Sequence, residues 1–178
     1  MNLIKVHNKP FRIHISKSQI EKRTSELASI INKQYSGKKP LLLSILSGSF
    51  MFTSDLMKKI TIDCELTFMR IKSYAGLKSG GDVKILMGVN EEINDRHVII
   101  IEDIIDTGNT IAQIFLQVKK YKPKDLKVMS FLFKPEAMTT NYKPDFVGFE
   151  VENKFFVGYG LDYDGLGRNY FGVYILDE

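Results

Sequence analysis

The sequence predicts an α/β fold in which a mainly parallel central sheet is flanked by helices. Three observations point there. A mostly apolar run, Leu41-Leu42-Leu43-Ser44-Ile45-Leu46, follows Pro40 and ends in the small residues Ser47-Gly48-Ser49. Another run, Val98-Ile99-Ile100-Ile101, is entirely β-branched and gives way to Glu102-Asp103-Ile104-Ile105-Asp106-Thr107-Gly108-Asn109-Thr110. Each run suits a strand buried on both faces of a parallel sheet, and each is followed by a helical segment, which is the alternation such a sheet requires.

The remaining elements follow in order. Residues 1 to about 15 alternate loosely, as in Phe11-Arg12-Ile13-His14-Ile15, and predict a short strand. Ser18 with Glu21 spells a capping box, and Ile20, Leu27, Ile30 and Ile31 mark an amphipathic helix ending near Gly37. After the strand at 41–46, a helix is expected from Phe50 to Ile60, then a strand over 64–74. Ala75 to Asp82 is rich in glycine, and Lys84 to Val89 returns as an antiparallel strand. Beside anion sites, such a connection favours a lid over a plain hairpin. Ile111, Ile114, Phe115 and Val118 recur at helical spacing after Thr110, and 127–133 and 146–151 read as further strands. The N-terminal strand and the C-terminal tail are expected to form a small cap over the sheet edge.

Composition narrows the class. With 178 residues, 44% hydrophobic and 26% charged, the chain fits one globular domain with its own core. A single cysteine, Cys64, excludes an intramolecular disulfide. Neither a signal-peptide core nor an apolar run near the roughly 20 residues of a membrane span is visible, so a cytoplasmic protein is expected. The net charge of +4 suits polyanionic substrates, but the lysines are scattered and form no basic stripe, so no nucleic-acid partner is expected.

The stretch from Val98 to Thr110 carries the chemistry. A loop entering a helix N-terminus offers backbone N–H groups without intrahelical partners, and the helix dipole adds partial positive charge. Gly108 permits close approach, and Thr107 and Thr110 add hydroxyls, which suits a phosphate monoester. Glu102 and Asp103, expected where the strand ends, would repel that phosphate and better face sugar hydroxyls, directly or through a divalent cation. A ribose 5-phosphate is the implied ligand. A buried strand closing in a solvated, capped turn explains either half of the pattern, but not three carboxylates and two threonines around one glycine. Ser47-Gly48-Ser49 repeats the plan and predicts a second backbone-lined anion site on the same sheet edge.

The Val98–Thr110 run closely resembles the phosphoribosyl pyrophosphate (PRPP) binding motif of type I phosphoribosyltransferases. Over nearly the whole chain the resemblance narrows to the hypoxanthine-guanine phosphoribosyltransferases. Leu46-Ser47-Gly48-Ser49 resembles their pyrophosphate loop, Ser73-Tyr74 the start of their catalytic flap (about 73–85), and Lys134 their base-reading lysine. The segment from Lys154 to Tyr163, with Arg168, resembles their base and metal segment. The resemblance implies one phosphoribosyltransferase domain over 1–178, with a core of about 18–150 and a hood from about 1–15 and 151–178.

It also implies a reaction: hypoxanthine or guanine with PRPP gives IMP or GMP and pyrophosphate, through an oxocarbenium-like transition state assisted by Mg2+. The roles it implies are as follows. Glu102, Asp103, Asp106, Thr107, Gly108, Asn109 and Thr110 bind ribose phosphate, and Glu102, Asp103 and Asp162 contact metal. Ser47, Gly48 and Arg168 bind pyrophosphate, and Ser73 and Tyr74 belong to the flap. Lys134 reads the 6-oxo group, Phe155 stacks on the purine, the Phe156 backbone pairs with its edge, and Asp162 lies with them in the purine segment. Asp106 is the general base at N7. Many relatives carry Lys or Arg at the position of Ser47; the loop works chiefly through backbone groups and a non-proline cis peptide, expected between Leu46 and Ser47. A homodimer or homotetramer is implied. Two other readings are a regulatory protein of the same fold that binds RNA or nucleotide, and a transferase that prefers xanthine.

Overall fold

A computed structural model describes residues 3–73, 83–88 and 92–177. The strands β1 (Leu3–Val6) and β2 (Lys9–Ile15) open the chain, followed by helix α1 (Lys17–Gln34), β3 (Leu41–Leu46), α2 (Phe50–Met57), β4 (Glu65–Ser73) and β5 (Val83–Met87). Then come β6 (His97–Ile105), α3 (Asn109–Lys119), β7 (Asp125–Phe133), β8 (Phe146–Glu150), β9 (Phe156–Val157) and β10 (Val173–Leu176).

Six strands form the main sheet in the order β5-β4-β3-β6-β7-β8, all neighbours parallel except β5, which runs antiparallel to β4. Because side chains alternate along a strand, the sheet builds two cores. Leu42, Ile99, Ile101, Met129 and Phe131 pack on one face with Ile20, Leu27 and Ile31 of α1 and Phe52 and Leu56 of α2. Leu41, Leu43, Val98, Ile100 and Val128 pack on the other with Ile111, Ile114 and Val118 of α3. Burial on both faces is what the runs at 41–46 and 98–101 required. Apolar apart from the buried Ser44, they leave no solvated side for the strands to present.

A second, antiparallel sheet of order β1-β2-β10-β9 joins the two ends of the chain into the expected hood. Its own small core holds Ile4, Val6, Phe11, Val157 and Tyr174. No helix among the described residues is long and apolar enough to cross a membrane.

Several expectations need correction. The N-terminal segment is a hairpin of two strands, turned at His7 and Asn8, both with positive φ. The capping box of α1 is Ser16 with Gln19 rather than Ser18 with Glu21: the Ser16 backbone N–H donates to Gln19 Oε1 (2.9 Å), and the Gln19 N–H to Ser16 Oγ (3.4 Å). Both pairs satisfy the motif, but β2 ends at Ile15 and makes Ser16 the first free cap. Helix α1 stops at Gln34, before Gly37, and α2 stops at Met57, before Ile60. Strand β6 does not end at Glu102. Its ladder with β7 continues through Glu102↔Ser130 and Ile104↔Leu132 to Ile105↔Phe133, so the acidic pair lies inside the sheet. Most of the expected flap, including Tyr74, falls on 74–82, outside the described residues; Ser73 ends β4 and pairs with Val83 of β5.

Candidate active site

Chain order reverses across the sheet between β3 and β6: β4 follows on one side of β3, while β6 and β7 build on the other. Ligands of open α/β sheets bind at the carboxyl ends of strands at such a point. A cleft of about 310 Å³ lies there, lined by the Leu46–Gly48 loop after β3, by Glu102 to Gly108 and Thr110 after and within β6, and by Asp162 and Arg168 from the hood.

The loop after β3 carries a cis peptide between Leu46 and Ser47. Gly48 has no room for a side chain: a Cβ there would lie 1.3 Å from Asp103 Oδ2. From above, Gly160 (φ 98°) packs on the same loop, where a Cβ would come within 1.9 Å of the Gly48 carbonyl oxygen. Gly48 thus lets the loop close on the Asp103 carboxylate, and Gly160, at a positive φ that favours glycine, lets the hood reach the loop backbone.

Glu102 and Asp103 interact within the last stretch of β6, before Ile104 and Ile105. Burial, then the like charge of Asp103, pushes the Glu102 carboxyl well above the usual carboxylate range. Burial also raises Asp103, opposed by hydrogen bonding with Glu102, by the Ile104 N–H (2.7 Å to Oδ1) and by Arg168. Glu102 Oε2 is buried and finds no partner among the described residues. An orphaned carboxylate oxygen beside a second carboxylate fits a divalent cation, which would relieve both the repulsion and the missing bond. The cleft lining adds a second reason. Its charged residues are four carboxylates, Glu102, Asp103, Asp106 and Asp162, and one guanidinium, Arg168, so a polyphosphate needs added positive charge to enter. Among the described residues no cluster of three or more His, Cys, Asp or Glu groups forms a closed metal cage. Mg2+ is suited to one or two carboxylates completed by water and phosphate oxygens.

The Asp106–Thr110 loop turns at Gly108 (φ 82°), which is the N-cap of α3. The positive φ favours glycine here, and a Cβ would also press on Thr140 Oγ1 (2.5 Å) and Met138 Cε (2.6 Å), side-chain ends that would have to shift. The Thr139 N–H donates to the Thr107 carbonyl (3.0 Å), as does the Thr139 hydroxyl (3.1 Å). Gly108 as N-cap has no side chain to cap α3, and the Asn109 N–H makes only a long bond to Thr107 Oγ1 (3.5 Å), so the helix N-terminus suits an anion.

A second pocket, lined by Lys134, Asn153, Lys154, Phe155 and Leu176, adjoins the hood. Lys134 links it to the cleft. Its ammonium lies 2.7 Å from Asp106 Oδ2, on a side chain 8% exposed, and 5.9 Å from the centre of the Phe156 ring. Phe155 is 46% exposed and meets Tyr163 edge-on, with ring centres 5.4 Å apart, so part of its ring is open to the pocket. Asp162 is already engaged: Oδ1 pairs with Arg168 Nη2 (2.6 Å), and Oδ2 accepts from the Gly165 N–H (2.8 Å). Arg168 Nη1 also donates to the Gly160 carbonyl (2.6 Å).

Residues 15–164 match the family model for the phosphoribosyl transferase domain. The chain belongs to the phosphoribosyltransferase family. This phosphoribosyltransferase is 39% identical over 165 residues to the hypoxanthine-guanine phosphoribosyltransferase of Lactococcus lactis, spanning 91% of this chain and 90% of that one. It is 41% identical over 155 residues to the hypoxanthine phosphoribosyltransferase of Buchnera aphidicola, spanning 85% and 88%. A crystal structure of a hypoxanthine phosphoribosyltransferase from Staphylococcus aureus superposes with a TM-score of 0.90 at 34% identity, covering 93% of this chain and 91% of that one.

The phosphoribosyltransferase cleft gathers Ser47, Gly48, Glu102, Asp103, Asp106, Thr107, Gly108, Thr110, Asp162 and Arg168. Lys134 and Phe155 stand in the adjoining pocket, the Phe156 ring is buried, and exposed Asn109 opens α3 outside the cleft lining. The sequence reading missed Met138, Thr139 and Thr140 and gave no role of its own to Gly160 within the Lys154–Tyr163 segment, although all four pack on the loops after β3 and β6. The Gly158-Tyr159-Gly160 spacing and the adjacent threonines were the available signals, but neither says what it touches.

Proposed function

We propose that the chain is a purine salvage enzyme transferring the ribosyl 5-phosphate group of PRPP to hypoxanthine, and to guanine, with release of pyrophosphate. One observation carries the reading. Asp106, which lines the acidic cleft, pairs at 2.7 Å with Lys134, which lines the pocket that holds Phe155. A sugar phosphate bound in the cleft and a planar ring bound in the pocket would meet at this pair.

The roles divide by charge. The first turn of α3 with Thr107, Gly108, Asn109 and Thr110 binds the 5-phosphate; Ser47, Gly48 and Arg168 bind the diphosphate. Glu102 and Asp103, with Asp162 toward the diphosphate, would hold Mg2+, which when bound would neutralise charge on the leaving group. Asp106 accepts the proton at N7, half-exposed and so reachable by a base. Lys134 donates to a 6-oxo group and disfavours the 6-amino group of adenine. Phe155 stacks on the purine, and the Phe156 backbone meets its edge. Ser73 and Tyr74 belong to a flap that excludes water from the reacting carbon.

The reading treats 1–178 as one domain, core about 18–150, acting in the cytoplasm as a homodimer or homotetramer. Exposed Phe50 and Phe171 beside the pyrophosphate loop support self-association, since a partner would cover them. To test the function, the protein is incubated with PRPP, Mg2+ and each of hypoxanthine, guanine, xanthine and adenine, and nucleotide formation is followed. IMP and GMP are the expected products. Product with xanthine alone, or no product alongside tight RNA binding at physiological salt, would overturn the assignment.

A further inference from the structure

Ser44, Ser49 and Thr53 form a chain of hydroxyls beneath the loop after β3, none more than 1% exposed. Ser49 Oγ donates to the Ile45 carbonyl at 2.5 Å, and Ser44 Oγ lies 2.7 Å from Ser49 Oγ and 2.8 Å from Thr53 Oγ1. Each hydroxyl has one proton. Ser49 gives its proton to Ile45, so Ser44 donates to Ser49, and Thr53 donates to Ser44. The bonds therefore run one way, from α2 through β3 to the loop and back to a strand carbonyl.

Ser49 is the N-cap of α2, where a serine ordinarily accepts from the first turn; here it makes no such bond. Its hydroxyl turns back into the sheet instead. Ser44 is held in register with Phe68 of β4 and Ile101 of β6. The link Leu46-Ser47-Gly48 is thus fixed at both ends, by β3 before it and by Ser49 after it. Neither Ser47, which is exposed, nor Gly48 has a side-chain hydrogen bond of its own among the described residues to hold it.

We infer that Ser49 is the positioning residue of the pyrophosphate loop, setting the Ser47–Gly48 backbone for the diphosphate of the substrate through its buried bonds to Ser44 and Ile45. This rests on the phosphoribosyl transfer reading above. The loop carries no cationic side chain, so its affinity depends on how accurately its N–H groups are placed.

The test compares Ser49→Ala and Thr53→Val with Thr24→Val. Thr24 is equally buried and donates to the Ile20 carbonyl (2.8 Å) in α1, outside the cleft lining, so it matches the loss of one buried hydroxyl elsewhere. Ser49→Ala is expected to raise KM for PRPP, and for pyrophosphate in the reverse reaction, roughly five- to tenfold, while KM for hypoxanthine stays within about twofold. Thr53→Val should move the same constants in the same direction by less, and it reads the same chain of bonds if Ser49→Ala does not fold. Thr24→Val should lower Tm without a KM split. Pyrophosphate binding with Mg2+, measured by calorimetry, should weaken in Ser49→Ala by the same factor as KM. If both loop variants lower Tm as Thr24→Val does and leave KM for PRPP unchanged, or raise every KM together, the inference is overturned. If the wild type binds pyrophosphate in a Ser49-dependent way but forms no nucleotide, the transferase reading fails and this one stands.

Discussion

The Lys134 ammonium and Asp106 Oδ2 stand 2.7 Å apart, the lysine almost wholly enclosed and the aspartate 49% exposed. The Lys134 N–H also donates to the Ile105 carbonyl (2.9 Å), so the ends of β6 and β7 fix the pair from the backbone upward. A base entering the pocket meets a held cation and a reachable acceptor side by side.

Asp106→Asn keeps the shape but removes the carboxylate that can take up a proton. Turnover with hypoxanthine should fall by about 10²- to 10⁴-fold, with KM for PRPP changed only a few fold. Steady-state kinetics decide it, and equal losses in both would remove Asp106 from the role of base.

Lys134→Gln replaces an obligate donor with an amide that both donates and accepts. The preference for hypoxanthine over adenine should narrow by about tenfold or more, read as the ratio of kcat/KM values. An unchanged ratio would assign discrimination to another group.

The carboxyl pair predicts a pH dependence. Glu102 and Asp103 are raised above their ordinary values of 4.5 and 3.8, so the folded, metal-free protein holds more protons than the unfolded chain. Stability should therefore fall as pH rises from the ordinary carboxylate range through the folded-state values. Tm of metal-free protein measured from about pH 4.5 to about pH 8 should decline, and Glu102→Gln should flatten the decline. Mg2+ with pyrophosphate should raise Tm more at the upper end, because the proton must leave before the cation binds. A flat wild-type profile would contradict the burial argument.

Gly48→Ala places a methyl group on Asp103 Oδ2. Either the loop or the carboxylate must move, and kcat/KM for PRPP should drop by about 10²-fold or more, beyond any loss of Tm. Activity within a few fold of wild type would mean that the loop and Asp103 part freely.

Tyr159→Phe removes a tie between the hood and α2, where the Tyr159 hydroxyl donates to Asp55 Oδ2 at 2.9 Å. The tyrosine is buried but Asp55 is also held by Lys58 (3.0 Å), so a loss of about 1–2 kcal/mol in denaturant unfolding is expected. No measurable change would show that Asp55 finds full compensation in water and Lys58.

Much of this protein was determined by local sequence. The runs at 41–46 and 98–101 have no polar side, so they had to be buried on both faces, and the parallel sheet follows from that. The Asp106–Thr110 loop was legible because glycine, hydroxyls and a helix start lie together in a few residues. Tertiary structure decided what no such run contains. Strand β6 passes through Glu102 and Asp103 only because β7 continues beside it. Ser16 outcompetes Ser18 as a cap because β2 ends where its partner β10 leaves it. Above all, Gly48 against Gly160, and Lys134 against Asp106, join segments separated by 112 and 28 positions. Contacts of that span depend on strand order and on the hood closing over the sheet, and neither leaves a local pattern in the chain.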